Sequence, residues 1–219
     1  MMRMKRLVTF FAILFFSLGI LSAVEVEPPV FRGGMLYLGT DSEDPEKAPS
    51  PLLTAAGVSL PLRFSEHLWL EPALTVHGTW YGIPDALGYP VPVINEWRES
   101  WVLSLLIDPA LMMAWPVSDD LSLGFSAAPG FLFRFPLIAT GYRSFDNAAA
   151  LSYFFGQGRF FFPKTGVLCS WRVSENLLLR FQTDVWFPLF HAWDRTSGPF
   201  YDQLMVCLWI GFSQTAPVK

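Results

Sequence analysis

Strand side chains change face at every residue, so strict alternation of apolar and polar positions reads as a strand. Six stretches of this chain alternate. They come in three pairs, and each pair is joined by the same short phrase: Phe64-Ser65-Glu66-His67-Leu68, Val117-Ser118-Asp119-Asp120-Leu121 and Val173-Ser174-Glu175-Asn176-Leu177. Ser, Asp and Asn side chains hydrogen-bond nearby backbone, so each phrase predicts a tight hairpin. The copies lie 53 and 56 residues apart. Around the first turn, Thr54, Ala56, Val58, Leu60, Leu62 and Phe64 form one face and Leu68, Leu70, Pro72, Leu74 and Val76 continue it. Around the second, the apolar face runs over the odd positions of 101–115 and 121–135. Around the third it is Val167, Cys169, Trp171 and Val173, then Leu177, Leu179, Phe181, Thr183, Val185 and Phe187. Two further strands are predicted at 31–40, which is Gly-rich and less regular, and at 201–213.

The connections then alternate in length. Tight turns lie at one end, and 41–51, 82–96, 138–164 and 190–200 lie at the other. An even strand count with short turns at one rim and long loops at the other predicts a single all-β, eight-stranded antiparallel up-and-down barrel. A soluble barrel alternates as well. Here, however, the polar face is Ser, Gly and Ala with few charges, which suits a narrow interior better than a solvated surface. Aromatics on the apolar face cluster by the turns (Phe64, Trp115, Trp171) and by the loops (Trp80, Trp101, Phe135), as membrane-interface girdles do. The expectation is a transmembrane barrel with periplasmic turns and extracellular loops.

Composition sharpens this. Charged residues are 16% of the chain and mean hydropathy is +0.36, yet after Ala23 no apolar run is long enough for a spanning helix. Arg3, Lys5 and Arg6 precede an uncharged apolar run over 7–21 that ends in Ser22-Ala23, the layout of a cleaved signal peptide. The expected division is a signal peptide at 1–23, the barrel at 24–213 and a C-terminal tail at 214–219. Removal of 1–23 leaves 12 Lys and Arg against 19 Asp and Glu, a net of −7, which argues against a nucleic-acid partner.

In architecture and signal peptide the chain resembles the small eight-stranded bacterial outer-membrane barrels, the outer-membrane protein W-like ones included. Leu208-Trp209-Ile210-Gly211-Phe212 is similar to the aromatic-ended last strand that the barrel-insertion machinery reads, although seven residues follow it. The resemblance implies an outer-membrane location, lipid and the insertion machinery as partners, a monomer, and transport of small hydrophobic molecules.

The inward-facing polar set is Arg63, Glu71, His77, Arg98, Asp108, Arg134, Arg172, Arg180 and Asp184. Buried charges must be paired or hydrated, so these residues predict either a plug of ion pairs or a polar ligand site. Pro109 and Pro129 face each other if the second turn pairs symmetrically. Proline supplies no ladder N–H, so the pair is either two bulges or a lateral weak point for a lumen ligand. His77, and His191 with Asp194 and Ser197, are the candidates for catalysis, but their spacing matches no lipid-modifying enzyme motif, so no catalytic residue is assigned. Asp41, Glu43, Asp44 and Glu46 form an acidic loop without a calcium motif; no metal or cofactor is expected. The third loop is so aromatic that it must extend the wall, cover the mouth or bind a partner. Cys169 faces out and Cys207 in, with a strand between them, so both thiols are expected free. The leading functional expectation is a narrow channel or carrier for small molecules. The alternatives are a structural or surface-interaction barrel with a plugged lumen and, less favoured, a lipid-modifying enzyme.

Overall fold

A computed structural model describes residues 24–40, 52–83, 88–93, 100–139, 146–192 and 202–214. The signal peptide expected at 1–23, Arg98, the acidic stretch of Asp41, Glu43, Asp44 and Glu46, Asp194, Ser197 and the residues after Gln214 lie outside the described residues. The strands are β1 (Glu25–Val26), β2 (Val30–Leu38), β3 (Leu52–Ser59), β4 (Leu62–Arg63), β5 (Leu68–Gly82), β6 (Val91–Val93), β7 (Ser100–Pro116), β8 (Leu121–Ala128), β9 (Phe131–Ala139), β10 (Lys164–Ser174), β11 (Leu177–Trp186) and β12 (Met205–Gln214). One helix, α1 (Asn147–Phe155), precedes β10.

These twelve strands make eight walls, because β1 continues into β2, β3 into β4 and β8 into β9, while β6 only extends the sheet beyond β5. Pairing of β12 with β2 closes the ring. The three repeated phrases are the three tight turns, with backbone bonds closing the first two: Ser65 N to Leu68 O, 3.1 Å, and Ser118 N to Leu121 O, 3.1 Å. From His77 the pairings run through Ala55, Gly34, Trp209, Gln182, Leu168, Gly124 and Ala114 and return to β5 at His67, ten residues lower. That stagger on eight walls gives a strand tilt of about 35–45° and an interior just wide enough for side chains to fill.

Alternation decides what faces where. Along β7 the pattern of exposure switches at nearly every residue, with Asp108 buried and Ile107 exposed. The outer face is apolar all the way round: Met35, Val58, Leu74, Leu111, Phe125, Val167, Phe181 and Leu208 stand exposed, Phe125 at 61% and Leu208 at 60%. The inner face carries Asp108 and Asp184, both at 0%. A soluble barrel has the reverse arrangement, and an apolar belt of this extent far exceeds the patches that water-facing monomers expose. The outer surface is that of a membrane-spanning barrel.

The aromatic third loop covers the mouth. Asp146 caps α1 by accepting from the N–H groups of Ala148 and Ala149 (2.9 and 3.0 Å). The helix lays Ala150 and Phe154 onto Tyr81 and Val102, on the inner side of the taller β5–β7–β9 wall. Phe162 and Phe190 follow into the barrel axis, where Trp186, Leu36, Leu106 and Met205 complete a buried core. Both cysteines are free, Cys169 half-buried on β10 and Cys207 buried on β12, with β11 between them.

Among the described residues, the ladder between β7 and its neighbour is interrupted. Between β7 and the β8–β9 wall, pairs are formed at Leu111↔Ala127 and Ile107↔Phe131, with none between. Those flanking pairs put Pro129 opposite Pro109, while Pro72 is paired with Pro109 on the other side. The register of Lys164↔Ala128 sets Pro163 opposite Pro129. Four prolines thus stand side by side on adjacent walls at mid-height. Antiparallel ladders alternate bonded and non-bonded pairs. Leu60 N donates to Pro72 O (3.0 Å) and Phe187 N to Pro163 O (2.9 Å), so those two prolines turn their bonding groups away from the interruption. Pro109 and Pro129 are left facing each other in a position where both ladder bonds belong and neither N–H exists.

Candidate functional site

The polar interior is arranged in three tiers. The lowest is built around Glu71 on β5. Ser59 Oγ (2.6 Å), Trp69 Nε1 (2.8 Å) and Arg180 Nη1 (2.6 and 2.7 Å to the two carboxylate oxygens) all donate to it. Glu71 is therefore saturated, which is the condition for keeping a carboxylate out of water. Arg180, in contrast, spends one nitrogen on Glu71, and its Nε is buried with no hydrogen-bond partner.

The middle tier sits at the level of the proline row. Lys164 Nζ lies 3.1 Å from Asp108 and 3.5 Å from Asp184, and Arg32 lies 3.9 and 3.8 Å from the same two carboxylates. Arg32 also donates to Thr75 Oγ1 (2.9 Å), Gln182 to Asp184 (2.8 Å), and the indole of Trp209 lies under the Arg32 guanidinium (4.6 Å). All four charged side chains are 4% exposed or less. Two cations against two anions leave the tier neutral, as a low-dielectric interior requires.

The upper tier joins the barrel to its cap. Arg134 donates to Gln203 Oε1 (3.0 Å) and to the Arg159 carbonyl (2.8 Å), and its guanidinium lies over Phe154 (4.3 Å). Gln203 adopts a left-handed φ of 66° and donates to the Tyr153 hydroxyl (3.0 Å). Arg159 lies over Tyr153 (4.3 Å). Tyr153 stands on α1, beyond the membrane-spanning strands, and burial pushes its phenol up to about 12. His77 lies below this tier, buried, with Nδ1 unbonded.

Below the lowest tier the lumen opens into a vestibule of about 830 Å³ at the turn end, lined by Arg63, Trp69, Ser122, Ser170, Arg172 and Arg180 among others. Its mouth carries Glu25, Glu66, His67 and Glu175.

Six of the nine residues singled out from the sequence, Glu71, His77, Asp108, Arg134, Arg180 and Asp184, are buried in the lumen. They do not form one cluster, because they divide among the three tiers. Two belong elsewhere. Arg63 is half-buried at the turn rim and paired with Glu27, with the Trp69 ring beneath it. Arg172 is exposed at the vestibule mouth rather than buried. Arg98 is outside the described residues. The sequence reading missed Arg32 and Lys164, which supply both cations of the middle tier. Gly33 and Gly34 blur the alternation around Arg32, and Lys164 follows Pro163 at the edge of a long connection. The pairing of Lys164 with two carboxylates comes only from the closed ring.

No protein-family model matches the chain, and no curated protein matches it in sequence. Among solved structures it is similar to neisserial surface protein A (9% identity, 87% of this chain and 98% of that one, TM-score 0.47). It is also similar to the attachment invasion locus protein Ail of Yersinia pestis (7%, 86% and 97%, 0.46) and to the N-terminal β-barrel domain of Pseudomonas aeruginosa OprF (11%, 86% and 98%, 0.38).

Proposed function

We propose that this protein is an integral outer-membrane barrel, a monomer surrounded by lipid, whose lumen is plugged and whose work is done at its two ends. The observation that carries this reading is the middle tier. Four mutually paired charges close the barrel at mid-height, with Trp186, Phe162 and Phe190 packed above them. An ion crossing here must displace both ion pairs, and breaking one buried pair costs about 3–5 kcal/mol. The apolar belt and the signal-like N-terminus support export and insertion in the outer membrane. Planar-bilayer recording on the purified barrel tests the plug: the expected record is flat, and steady unitary conductance in the unmutated protein overturns it.

A second reading, a carrier for small hydrophobic molecules, draws on the missing rungs at Pro109 and Pro129. Under that reading a ligand leaves the lumen sideways into the bilayer, and Pro109→Val/Pro129→Val, which restores both N–H groups, abolishes uptake of a hydrophobic probe into proteoliposomes. Uptake unchanged by the double variant removes this reading. Neither reading involves catalysis.

A further inference from the structure

We infer that the vestibule at the turn end is a binding site for a small organic anion, held by its carboxylate or phosphate head. The inference rests on the barrel fold and stands whether or not the lumen conducts.

The donors are already aligned. Register sets Ser170 beside Ser122 on one side and beside Arg180 on the other. Two hydroxyls and a guanidinium therefore stand in one row across three neighbouring walls, all lining the vestibule. Neighbouring walls are about 4.8 Å apart, so the oxygens of one carboxylate or phosphate reach two of these groups at once. Arg180 is 5% exposed, and its Nη1 is committed to Glu71. Its unbonded Nε marks a guanidinium that its partner does not satisfy. Glu71 keeps Ser59 and Trp69 as donors when Arg180 is shared with a second anion.

The charges that line the vestibule divide between its inner wall and its mouth. Glu27 is matched by Arg63, and Glu71 by Arg180. Arg172 lines the same space, two residues toward the mouth from Ser170, and has no ion pair among the described residues. At the mouth Arg172 stands with Glu25, Glu66 and Glu175, so the lining as a whole holds no positive surplus, and the groups that select an anion are the inner row of Ser122, Ser170 and Arg180, with Arg172 at the entrance to a space of the size that small-molecule sites occupy. Glu25, Glu66 and Glu175 are exposed, as Arg172 is, and solvent and salt screen all four. The Trp69 ring, between Arg63 (5.1 Å) and Arg180 (6.0 Å), supplies an apolar wall for the ligand's carbon skeleton.

The test uses the full barrel refolded in detergent micelles, with the Trp69 indole N–H resonance (assigned through Trp69→Phe) as reporter. Three probes are titrated: inorganic phosphate, acetate and a short-chain phosphatidic acid, each against sodium chloride at matched ionic strength. A saturable shift with phosphate or acetate is expected, and Arg172→Gln raises the midpoint about tenfold through loss of one charge-assisted contact. Ser170→Ala weakens it about threefold, and Arg172→Lys recovers part of the loss. Saturation with the phosphatidic acid alone assigns the head group to a lipid. A shift that tracks ionic strength, or a midpoint that Arg172→Gln leaves within about twofold, overturns the site. Arg172 is exposed, so its variants fold; heat-modifiable gel mobility checks this.

Discussion

The Glu71–Arg180 pair offers the sharpest test of how the lumen is held. Each partner can be removed by a side chain of similar bulk, as Glu71→Leu and Arg180→Met. The two losses are unequal because the partners are unequally supported. Without Arg180, Glu71 still accepts from Ser59 and Trp69. Without Glu71, Arg180 keeps no carboxylate, and the Ser59 hydroxyl and Trp69 indole lose their acceptor as well. A buried charge stripped of its partner costs about 3–5 kcal/mol, and vestibule water beside Arg180 brings this to the low end. Two neutral donors left without an acceptor add about 1 kcal/mol between them. Glu71→Leu is then expected to cost about 4 kcal/mol and Arg180→Met about 2 kcal/mol. The double variant carries no unpaired charge and should cost about 3 kcal/mol rather than the additive value of about 6, a coupling of about 3. Equilibrium urea unfolding in lipid vesicles, followed by tryptophan fluorescence, measures all four corners of the cycle. Additive losses, or a double variant less stable than Glu71→Leu, would refute the claim that the pair is a mutually dependent unit.

Other features yield direct tests. The Tyr153 phenol is neutral in the folded cap up to about pH 12, whereas in the unfolded chain it ionises near its ordinary value of about 10. A raised folded value stabilises below the unfolded one and is lost as pH rises through the folded one. Urea midpoints should therefore fall between about pH 10 and 12, with a shallower fall in Tyr153→Phe; equal slopes would count against burial of the hydroxyl. Gly166 leaves no room for a Cβ, which would meet Asp184 Oδ1 and Ser126 Oγ. Gly166→Ala should accordingly lose about 1–3 kcal/mol in the same assay, and a neutral result would mean the middle tier is loosely packed. Cys169 lies half-buried on the lipid face and Cys207 at 0% in the lumen. A membrane-soluble maleimide should modify only Cys169 in the folded protein, as mass spectrometry after proteolysis reports. Modification of Cys207 at a similar rate would show an accessible lumen.

Strand existence, facing and the position of the turns were legible because alternation is a local property, and one buried face enforces it over many residues. Ser65, Ser118 and Ser174 marked the turns for the same reason: the turn bonds are local, through the backbone N–H of Ser65 and Ser118 to Leu68 and Leu121 and through the Ser174 hydroxyl to the Asn176 N–H. Tiers are not local. Arg32, Asp108, Lys164 and Asp184 come from four different walls and meet only because the ring closes with a stagger of ten residues. Helix α1 did have a signal, an Asp ahead of Asn-Ala-Ala-Ala, but the surrounding aromatics dominated the reading of that loop. The opposition of Pro109 and Pro129 was visible by counting outward from the second turn. The additions of Pro72 and Pro163 to the row needed the neighbouring registers.

The proline row also has a mechanical meaning. In a closed hydrogen-bonded barrel every wall resists sliding against its neighbours, so the cylinder behaves as a stiff hoop. Here one joint, between β7 and the β8–β9 wall, lacks its rungs at mid-height while the bonds above and below it remain. A uniformly bonded hoop spreads lateral strain evenly, whereas this one has fewer bonds to resist it at Pro109 and Pro129. Asp108 and Lys164 adjoin that row, and their pair braces the hoop across its compliant joint from the inside.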